Sequence, residues 1–156
     1  MPDTAQIKHA FWKALADSPF VFLQLDADPA TASPMTAQLD EDANHAIWFF
    51  TRKSGVYAAG GPAVATFAAK GHAMFARIAG TLSEETSHER LDKQWSQIVE
   101  AWFPGGKTDP DLLMLRLDLG QAEIWEAKLG VIGTAKMLLG FDVRDETAGH
   151  HVETAL

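Results

Sequence analysis

Apolar and polar residues alternate most strictly over residues 112–119, which read LLMLRLDL. In an extended chain four leucines fall on one side of this stretch: Leu113, Leu115, Leu117 and Leu119. Period-two alternation predicts a half-buried β-strand. Two turn signals, Pro-Gly at 104–105 and Asp-Pro at 109–110, separate this strand from a helical pattern before it.

Short apolar or alternating runs predict further strands along the chain. They fall at residues 20–25, 34–39, 45–51, 63–69, 74–82, 112–119 and 121–127. A polar segment with an Asp-Pro pair, residues 26–33, predicts a loop between the first two. Tight turns between successive strands favour an antiparallel sheet, because parallel strands need long crossovers. The pattern therefore predicts a mainly β barrel of the α+β class and not a βαβ fold.

Helical periodicity predicts three helices. In residues 4–16, Ile7, Phe11 and Leu15 fall on one face. Residues 87–102 predict an inserted helix, for which Thr86 and Glu89 have capping-box spacing. Its apolar stripe, which we expect to pack on the sheet, comprises Leu91, Trp95, Ile98, Val99 and Trp102. Residues 128–140 predict a short C-terminal helix, and the tail after it gives no clear pattern.

Composition narrows the class of protein. With 156 residues the chain is expected to form one domain over 1–156, and 47% apolar content indicates a folded core. A formal charge of −8 argues against nucleic acid or an anionic membrane as partner. Cysteine is absent, the N-terminus does not resemble a signal peptide, and no run is long enough to span a membrane. We therefore expect a cytoplasmic protein.

Candidate chemistry concentrates at the end of the strand 45–51. There Thr51, Arg52, Lys53 and Ser54 supply positive charge and hydrogen-bond donors, which a phosphate group requires; an ordinary polar strand exit is the alternative. Motifs of hydrolases, nucleotide-binding loops and zinc proteases are missing from the sequence. Adjacent residues on an extended chain point in opposite directions, so His150-His151 is a poor metal pair and no metal site is predicted.

Several motifs in order resemble the general stress protein branch of the pyridoxamine 5'-phosphate oxidase-like, FMN-binding split-barrel family. They are Pro-Met-Thr at 34–36, Trp-Phe-Phe-Thr at 48–51, Arg-Ile-Ala-Gly at 77–80, Trp-Phe-Pro-Gly at 102–105, Asp-Pro-Asp-Leu at 109–112, Ala-Glu-Ile-Trp at 122–125 and Gly-His-His-Val at 149–152. The resemblance runs from about residue 5 to the end of the chain.

This resemblance implies an antiparallel split β-barrel that forms a homodimer and holds FMN, or another flavin, in two clefts between the subunits. The cofactor-binding residues implied by the family's pattern are Ser33, Met35, Thr36, Phe50, Thr51, Arg52, Lys53, Ser54, Tyr57 and Trp125. Trp125 matches a tryptophan that approaches the flavin from the partner subunit. Tyr57 occupies a position where relatives often carry a phosphate-binding lysine. Losing that charge is expected to weaken the site by about 1.5–3 kcal/mol unless Arg52 or Lys53 compensates.

The resemblance further implies a flavin-dependent oxidoreductase acting on a small molecule that the sequence does not identify. In such an enzyme the flavin carries the redox chemistry and no side-chain acid or base is required, so the catalytic residues stay unknown. Two alternatives remain. One is a non-catalytic stress module that binds a flavin, a deazaflavin or haem; the other is a dimer that has lost its cofactor.

Overall fold

The computed structural model describes residues 3–126 and 150–156. Within these ranges the chain forms three α-helices and seven β-strands. They are α1 (Thr4–Asp17), β1 (Phe20–Leu25), β2 (Asp28–Thr36), β3 (Ala46–Arg52), β4 (Gly61–Ala68), β5 (Met74–Glu84), α2 (His88–Gln94), α3 (Gln97–Trp102), β6 (Leu112–Glu126) and β7 (His150–Ala155). A 3-10 turn, Val56–Ala59, follows β3.

All strand pairs are antiparallel, and the sheet order is β2-β1-β4-β5-β6-β3, with β7 also paired to β6. Near the two outer strands of this order, Gln38, two residues beyond the end of β2, forms an isolated bridge with Trp48 of β3. The Gln38 amide donates to the Trp48 carbonyl at 2.8 Å, and the Trp48 amide donates back at 3.0 Å. The sheet therefore curls into a barrel that stays open between β2 and β3 beyond this bridge. The predicted α+β split barrel is confirmed.

Helix α1 packs on the barrel interior. Asp3 caps its first turn by accepting from the Gln6 amide at 2.8 Å, and the Gln6 side chain accepts from the Asp3 amide in return. This reciprocal capping satisfies two amides that have no partner within the helix. Ile7, Phe11 and Leu15 are buried, as their spacing predicts.

Strand β6 is one continuous strand where the sequence predicts two. Leu113, Leu115 and Leu117 point into the main core, as the alternation predicts, and Met114 joins a second cluster on the other face with Trp48. The register with β5 shifts between Ile78 and Gly80. An extra residue in one strand makes the sheet bend, so the chain turns around the barrel without breaking.

The predicted helix over 87–102 is wrong in its middle. Trp95 has extended geometry and ends α2, and Ser96 then caps α3 by accepting from the Val99 amide at 3.3 Å. A serine that caps a new helix competes with continuation of the old one. The break changes which side chains are covered: Val99 is buried, whereas Trp102 is 69% exposed. The expectation that Ile98 and Trp102 pack on the sheet is therefore also wrong.

Two further boundaries differ from the prediction. The segment expected to be a loop at 26–33 lies mostly within β2, which begins at Asp28. Residues 150–155, in the tail for which the sequence shows no clear pattern, form β7 along the second half of β6. The helix predicted at 128–140 lies outside the described residues. No helix in the described part of the chain has the length and apolarity to cross a membrane.

Candidate functional site

The open side of the barrel gathers most of the predicted site residues. Strand β2 carries Ser33, Met35 and Thr36, and the end of β3 carries Phe50, Thr51 and Arg52. Side chains alternate along each strand, so these residues divide between two faces. On β2, Ser33 and Met35 are half-buried, whereas Thr36 is exposed beside Phe20 of β1.

Phe50 lies on the face that α2 and α3 flank. It packs on the second cluster, and its ring meets the Trp95 ring edge to face with centroids 5.8 Å apart. Thr51 lies on the opposite face and is half-buried. A Cβ placed on Gly55 would stand 3.7 Å from the Thr51 hydroxyl oxygen and 3.1 Å from the Arg52 carbonyl. The chain therefore folds tightly back over Thr51 directly after the strand.

Tyr57 belongs to the main hydrophobic core. Its side chain is buried, with 3% of its surface exposed. The hydroxyl lies 2.7 Å from the Leu23 carbonyl oxygen and 2.8 Å from that of Thr31, and it also contacts the Ser33 hydroxyl. A phenol has one proton to donate, and these backbone acceptors take it. Tyr57 is therefore a core residue in one subunit, and its place in a cofactor site stays a prediction.

This contact has a structural cause in the pairing of β1 with β2. The register runs from Leu23 opposite Ser33 to Leu25 opposite Asp28, so β2 carries extra residues at this point. The Thr31 hydroxyl fills one gap by accepting from the Leu25 amide at 2.8 Å. The Tyr57 hydroxyl supplies the donor for a neighbouring carbonyl. Buried backbone groups need such partners, and Tyr57 thereby ties the segment after β3 to β1 and β2.

A carboxylate from the residue just before β6 occupies the donors of the segment 52–54. Asp111 accepts from the Ser54 amide at 3.0 Å and from the Ser54 hydroxyl at 3.1 Å. The Arg52 guanidinium lies 3.4 Å from the same carboxylate, and the Lys53 amide donates to the Asp111 carbonyl at 2.8 Å. We call this set of donors on Arg52 and Ser54 the anion cradle. Its donors are the kind that bind carboxylate or phosphate.

The titration of Asp111 reflects this environment. The hydrogen bond from the Ser54 amide, with smaller contributions from the Ser54 hydroxyl and Arg52, holds the pKa of Asp111 below its ordinary value, against an opposing effect of desolvation. Asp111 therefore stays ionised at neutral pH. The cradle is electrostatically favourable to an anion even in a chain whose formal charge is −8.

Two cations of the segment differ in how they are held. Arg52 donates to the Trp102 carbonyl at 3.0 Å and lies over the Phe103 ring, 5.4 Å from its centroid. This places it between the end of α3 and Asp111. Lys53 is exposed, and the described part of the chain offers its ammonium group no hydrogen bond or ion pair. Lys53 is thus available to an incoming anion, whereas Arg52 is partly engaged.

Trp125 stands apart from these residues within one chain. Arg52 pairs with Leu112 at the first residue of β6, and Trp125 lies thirteen residues further along the same strand. At about 3.3 Å per residue the separation is about 43 Å along the strand. Trp125 stacks on His151 with ring centroids 5.1 Å apart. Within the described residues of one subunit, no hydrogen bond or ring contact joins Trp125 to the anion cradle.

An aromatic face on the outside of the sheet was missed by sequence reasoning. It consists of Phe20, Phe22, Phe75 and Trp125, which are 61%, 54%, 41% and 37% exposed. Phe75 and Trp125 face each other across β5 and β6. The available signal was the alternation itself, because Phe20 and Phe22 alternate with the buried Val21 and Leu23. The sequence suggests an unbroken buried strand there because both of its faces are apolar.

Comparisons with known proteins agree with this architecture. The family model described as pyridoxamine 5'-phosphate oxidase like matches residues 6–147. Among solved structures, the general stress FMN/FAD binding protein of Xanthomonas citri is 43% identical, with 79% of this chain and 90% of that chain covered and a TM-score of 0.73. A general stress family protein of Xanthomonas campestris pv. campestris is 42% identical, with 81% and 90% covered and a TM-score of 0.74.

A third solved structure matches over almost the whole chain. General stress protein 26 of Jannaschia sp. CCS1 is 32% identical, with 99% of this chain and 100% of that chain covered and a TM-score of 0.82. No functionally curated protein matches this chain. The family model covers well over half of the sequence, and the matching structures are general stress proteins. This chain belongs to the pyridoxamine 5'-phosphate oxidase-like family, in its general stress protein branch.

Proposed function

We propose that this protein binds a phosphorylated flavin, FMN in the first place, as a homodimer. The observation that carries the proposal is the anion cradle, in which the Ser54 amide, the Ser54 hydroxyl and the Arg52 guanidinium already hold a carboxylate. Donors arranged to hold one oxyanion suit another, and a phosphate dianion offers more acceptor oxygens than a carboxylate. The unengaged Lys53 adds the further positive charge that a dianion requires.

The donor set fits the phosphate end of FMN better than it fits the uncharged riboflavin. Arg52 presents a planar fork of donors and Lys53 a compact charge at the end of a mobile stem, a combination suited to phosphate. The relative from Xanthomonas citri, named as an FMN/FAD binding protein, supports the choice of a flavin. Met35 and Thr51 stand at the open side of the barrel near the cradle's strand end and are the side chains proposed to meet the rest of the ligand.

A second copy of the chain completes the site in this proposal. Trp125 lies at the far end of β6 from the cradle, so a ligand that contacts both must bridge two subunits. The aromatic face that includes Trp125 offers a surface for that contact. Large exposed aromatic side chains in one patch are typical of surfaces that a partner covers. The Phe20 side chain is 61% exposed, and in this proposal dimerisation would remove its apolar surface from water.

In the catalytic version the protein is a flavin-dependent oxidoreductase of a small molecule. The bound flavin would supply hydride or electron-pair transfer. The chain's own residues hold the phosphate at the cradle and shield the ring from water with the partner's copy of Trp125. In the non-catalytic version the same residues store or sense a flavin, a deazaflavin or haem. Reduction of bound flavin by a nicotinamide donor, followed by its absorbance, separates these versions.

One observation favours the third alternative, a dimer without cofactor. Asp111 occupies the cradle, and its negative charge opposes a phosphate at the same place. Flavin binding therefore requires Asp111 to leave the cradle or to share it. If the segment 52–54 serves only to connect the end of β3 to the start of β6, a phosphate group should add nothing to the affinity of a ligand.

Fluorescence titration of FMN and riboflavin into the purified protein tests the proposal. FMN should bind at micromolar concentrations or tighter and at least tenfold more tightly than riboflavin. Replacing both Arg52 and Lys53 with glutamine should remove this preference. The variant Lys13→Gln/Lys70→Gln, which removes two exposed cations from other elements, is the charge-matched control and should keep it. Equal affinity for both flavins would refute the phosphate site, and no binding of either would favour the cofactor-free dimer.

A further inference from the structure

Three side chains with metal-binding atoms meet at the junction of β6 and β7. Glu123 lies directly opposite Glu153 in the strand pairing, and His151 is two residues before Glu153 on the same face. One ligand atom from each of the three lies within 4.8 Å of the others. We call this set the Glu-His-Glu cluster. It belongs to the outer face of the sheet, at the edge of the aromatic face, and none of its members is in the anion cradle.

The two carboxylates of the cluster are an unfavourable pair by themselves. Like charges directly opposite each other on adjacent strands destabilise a sheet. Arg77 of β5 pairs with one oxygen of Glu123, so the two carboxylates together carry one more negative charge than Arg77 neutralises. A cation is therefore still favoured beside Glu153, in spite of Arg77.

The second carboxylate oxygen of Glu123 is positioned where a metal ligand would stand. Arg77 holds Oε1, and Oε2 lies 3.4 Å from His151 Nε2. In a tetrahedral zinc site with bonds of about 2.0–2.1 Å, neighbouring ligand atoms stand about 3.3 Å apart. Glu123 and His151 already have this spacing. A change of rotamer at the exposed Glu153 would close the remaining gap.

The imidazole of His151 is also oriented. Its ring stacks on the Trp125 ring with an angle of 17° between the planes, and this contact directs Nε2 toward Glu123. Held ligands bind metals better than mobile ones, because less conformational freedom is lost on binding. The mixture of one nitrogen and two oxygen ligands suits zinc and its neighbours in the first transition row, whereas magnesium and calcium prefer oxygen alone.

We propose that Glu123, His151 and Glu153 form a binding site for a divalent transition-metal ion of the zinc type, with water in the remaining coordination position. The site shares no residue with the anion cradle, and metal binding does not require a bound flavin. Because His151 stacks on Trp125, a bound ion would also fix the position of this tryptophan. No local sequence pattern indicates this site, because its ligands come from two strands, Glu123 from β6 and His151 and Glu153 from β7.

Calorimetric titration of Zn²⁺ into flavin-free protein without an affinity tag tests this site, together with the visible absorption of bound Co²⁺. One ion should bind per chain, and Co²⁺ should give the intense bands of a four-coordinate complex. His151→Ala and Glu153→Gln should each weaken binding at least tenfold. His88→Ala on α2 and Glu41→Gln are the controls, each removing an exposed side chain of the same type outside the cluster, and should leave binding unchanged.

Equal affinity in the wild type and in both cluster variants would overturn the proposal, and so would the absence of Zn²⁺ binding. In either case the cluster is only the Arg77–Glu123 ion pair with His151 and Glu153 beside it, without a metal. Glu153 is exposed, so Glu153→Gln is expected to fold even if His151→Ala loses stability. A melting curve for each variant confirms that weak binding does not reflect unfolding.

Discussion

The backbone amide of Ser54 donates a hydrogen bond of 3.0 Å to the carboxylate of Asp111, fifty-seven residues away in the chain. This contact fastens the segment that leaves β3 to the turn that enters β6. It also shows that the Ser54 amide is oriented to donate to an oxyanion. The proposed function depends on this relationship, because the same donors must serve a phosphate group.

Removing the charge of Asp111 should strengthen FMN binding. In Asp111→Asn the side chain keeps its shape but no longer carries the negative charge that repels a dianion. We expect FMN affinity to rise about tenfold for a phosphate that carries two charges, while riboflavin affinity stays the same. Paired fluorescence titrations measure both.

The companion variant Asp109→Asn changes a nearby carboxylate that binds backbone amides of its own turn instead of the cradle. It should leave the ratio of FMN to riboflavin affinity at the wild-type value. A fall in FMN affinity in Asp111→Asn would mean that Asp111 supports the ligand site and does not compete for it.

Replacing Arg52 and Lys53 one at a time should distinguish their contributions to FMN affinity and to stability. Lys53→Gln should lower FMN affinity about tenfold or more without changing the melting temperature, because a charged hydrogen bond contributes about 1.5–3 kcal/mol. Arg52→Gln should lower both FMN affinity and stability, the latter by no more than about 1 kcal/mol, since Arg52 is largely exposed. Unchanged affinity in both would place the phosphate elsewhere.

Tyr57→Phe should affect stability and spare flavin selectivity. The substitution removes the donor to the Leu23 and Thr31 carbonyls. Leaving buried acceptors without a partner costs about 1–3 kcal/mol, which lowers the melting temperature by several degrees for a chain of this length. Thermal denaturation measures the loss, and flavin titration tests the selectivity.

For Tyr57→Phe the matched control is Ser33→Ala, which removes the hydroxyl that contacts Tyr57 but leaves the phenol in place. Its loss of stability should be smaller. If Tyr57→Phe binds FMN much more weakly at unchanged stability, the phenol contacts the ligand after all and its assignment to the core is wrong.

The sequence predicts the local elements of this fold better than the contacts between distant segments. Local alternation and turn signals were sufficient for α1 and for most strands, because each depends on neighbours within a few residues. The break at Trp95 was missed because Ser96 fits either a helix interior or a helix cap. The role of Tyr57 and the occupation of the cradle by Asp111 depend on pairs far apart in the chain, which no local pattern records.

Asp40 should govern acid stability. Hydrogen bonds from Lys93 at 2.8 Å and from Arg90 at 2.5 Å hold the pKa of Asp40 far below its ordinary value, and only 5% of its side chain is exposed. A carboxyl group with a lowered pKa stabilises the fold above its ordinary pKa, near 3.8, and this contribution is lost as the pH falls toward the folded value.

Asp40→Asn should therefore lower the free energy of unfolding by about 2 kcal/mol at pH 7. The difference between variant and wild type should shrink as the pH falls from about 4 to 2. Asp42→Asn, an exposed neighbour, is the control and should change stability little. Urea denaturation across this pH range measures the difference, and a difference independent of pH would show that the charge of Asp40 does not matter.

The most direct test of a flavin held between two subunits is to mix two defective variants. Arg52→Gln/Lys53→Gln lacks the cradle's cations and Trp125→Ala lacks the distant tryptophan, so neither homodimer should bind FMN tightly. After unfolding and refolding together, about half of the dimers should be mixed, each with one intact site, and about a quarter of all sites should recover tight FMN binding. A mixture that binds no better than its components would contradict the account.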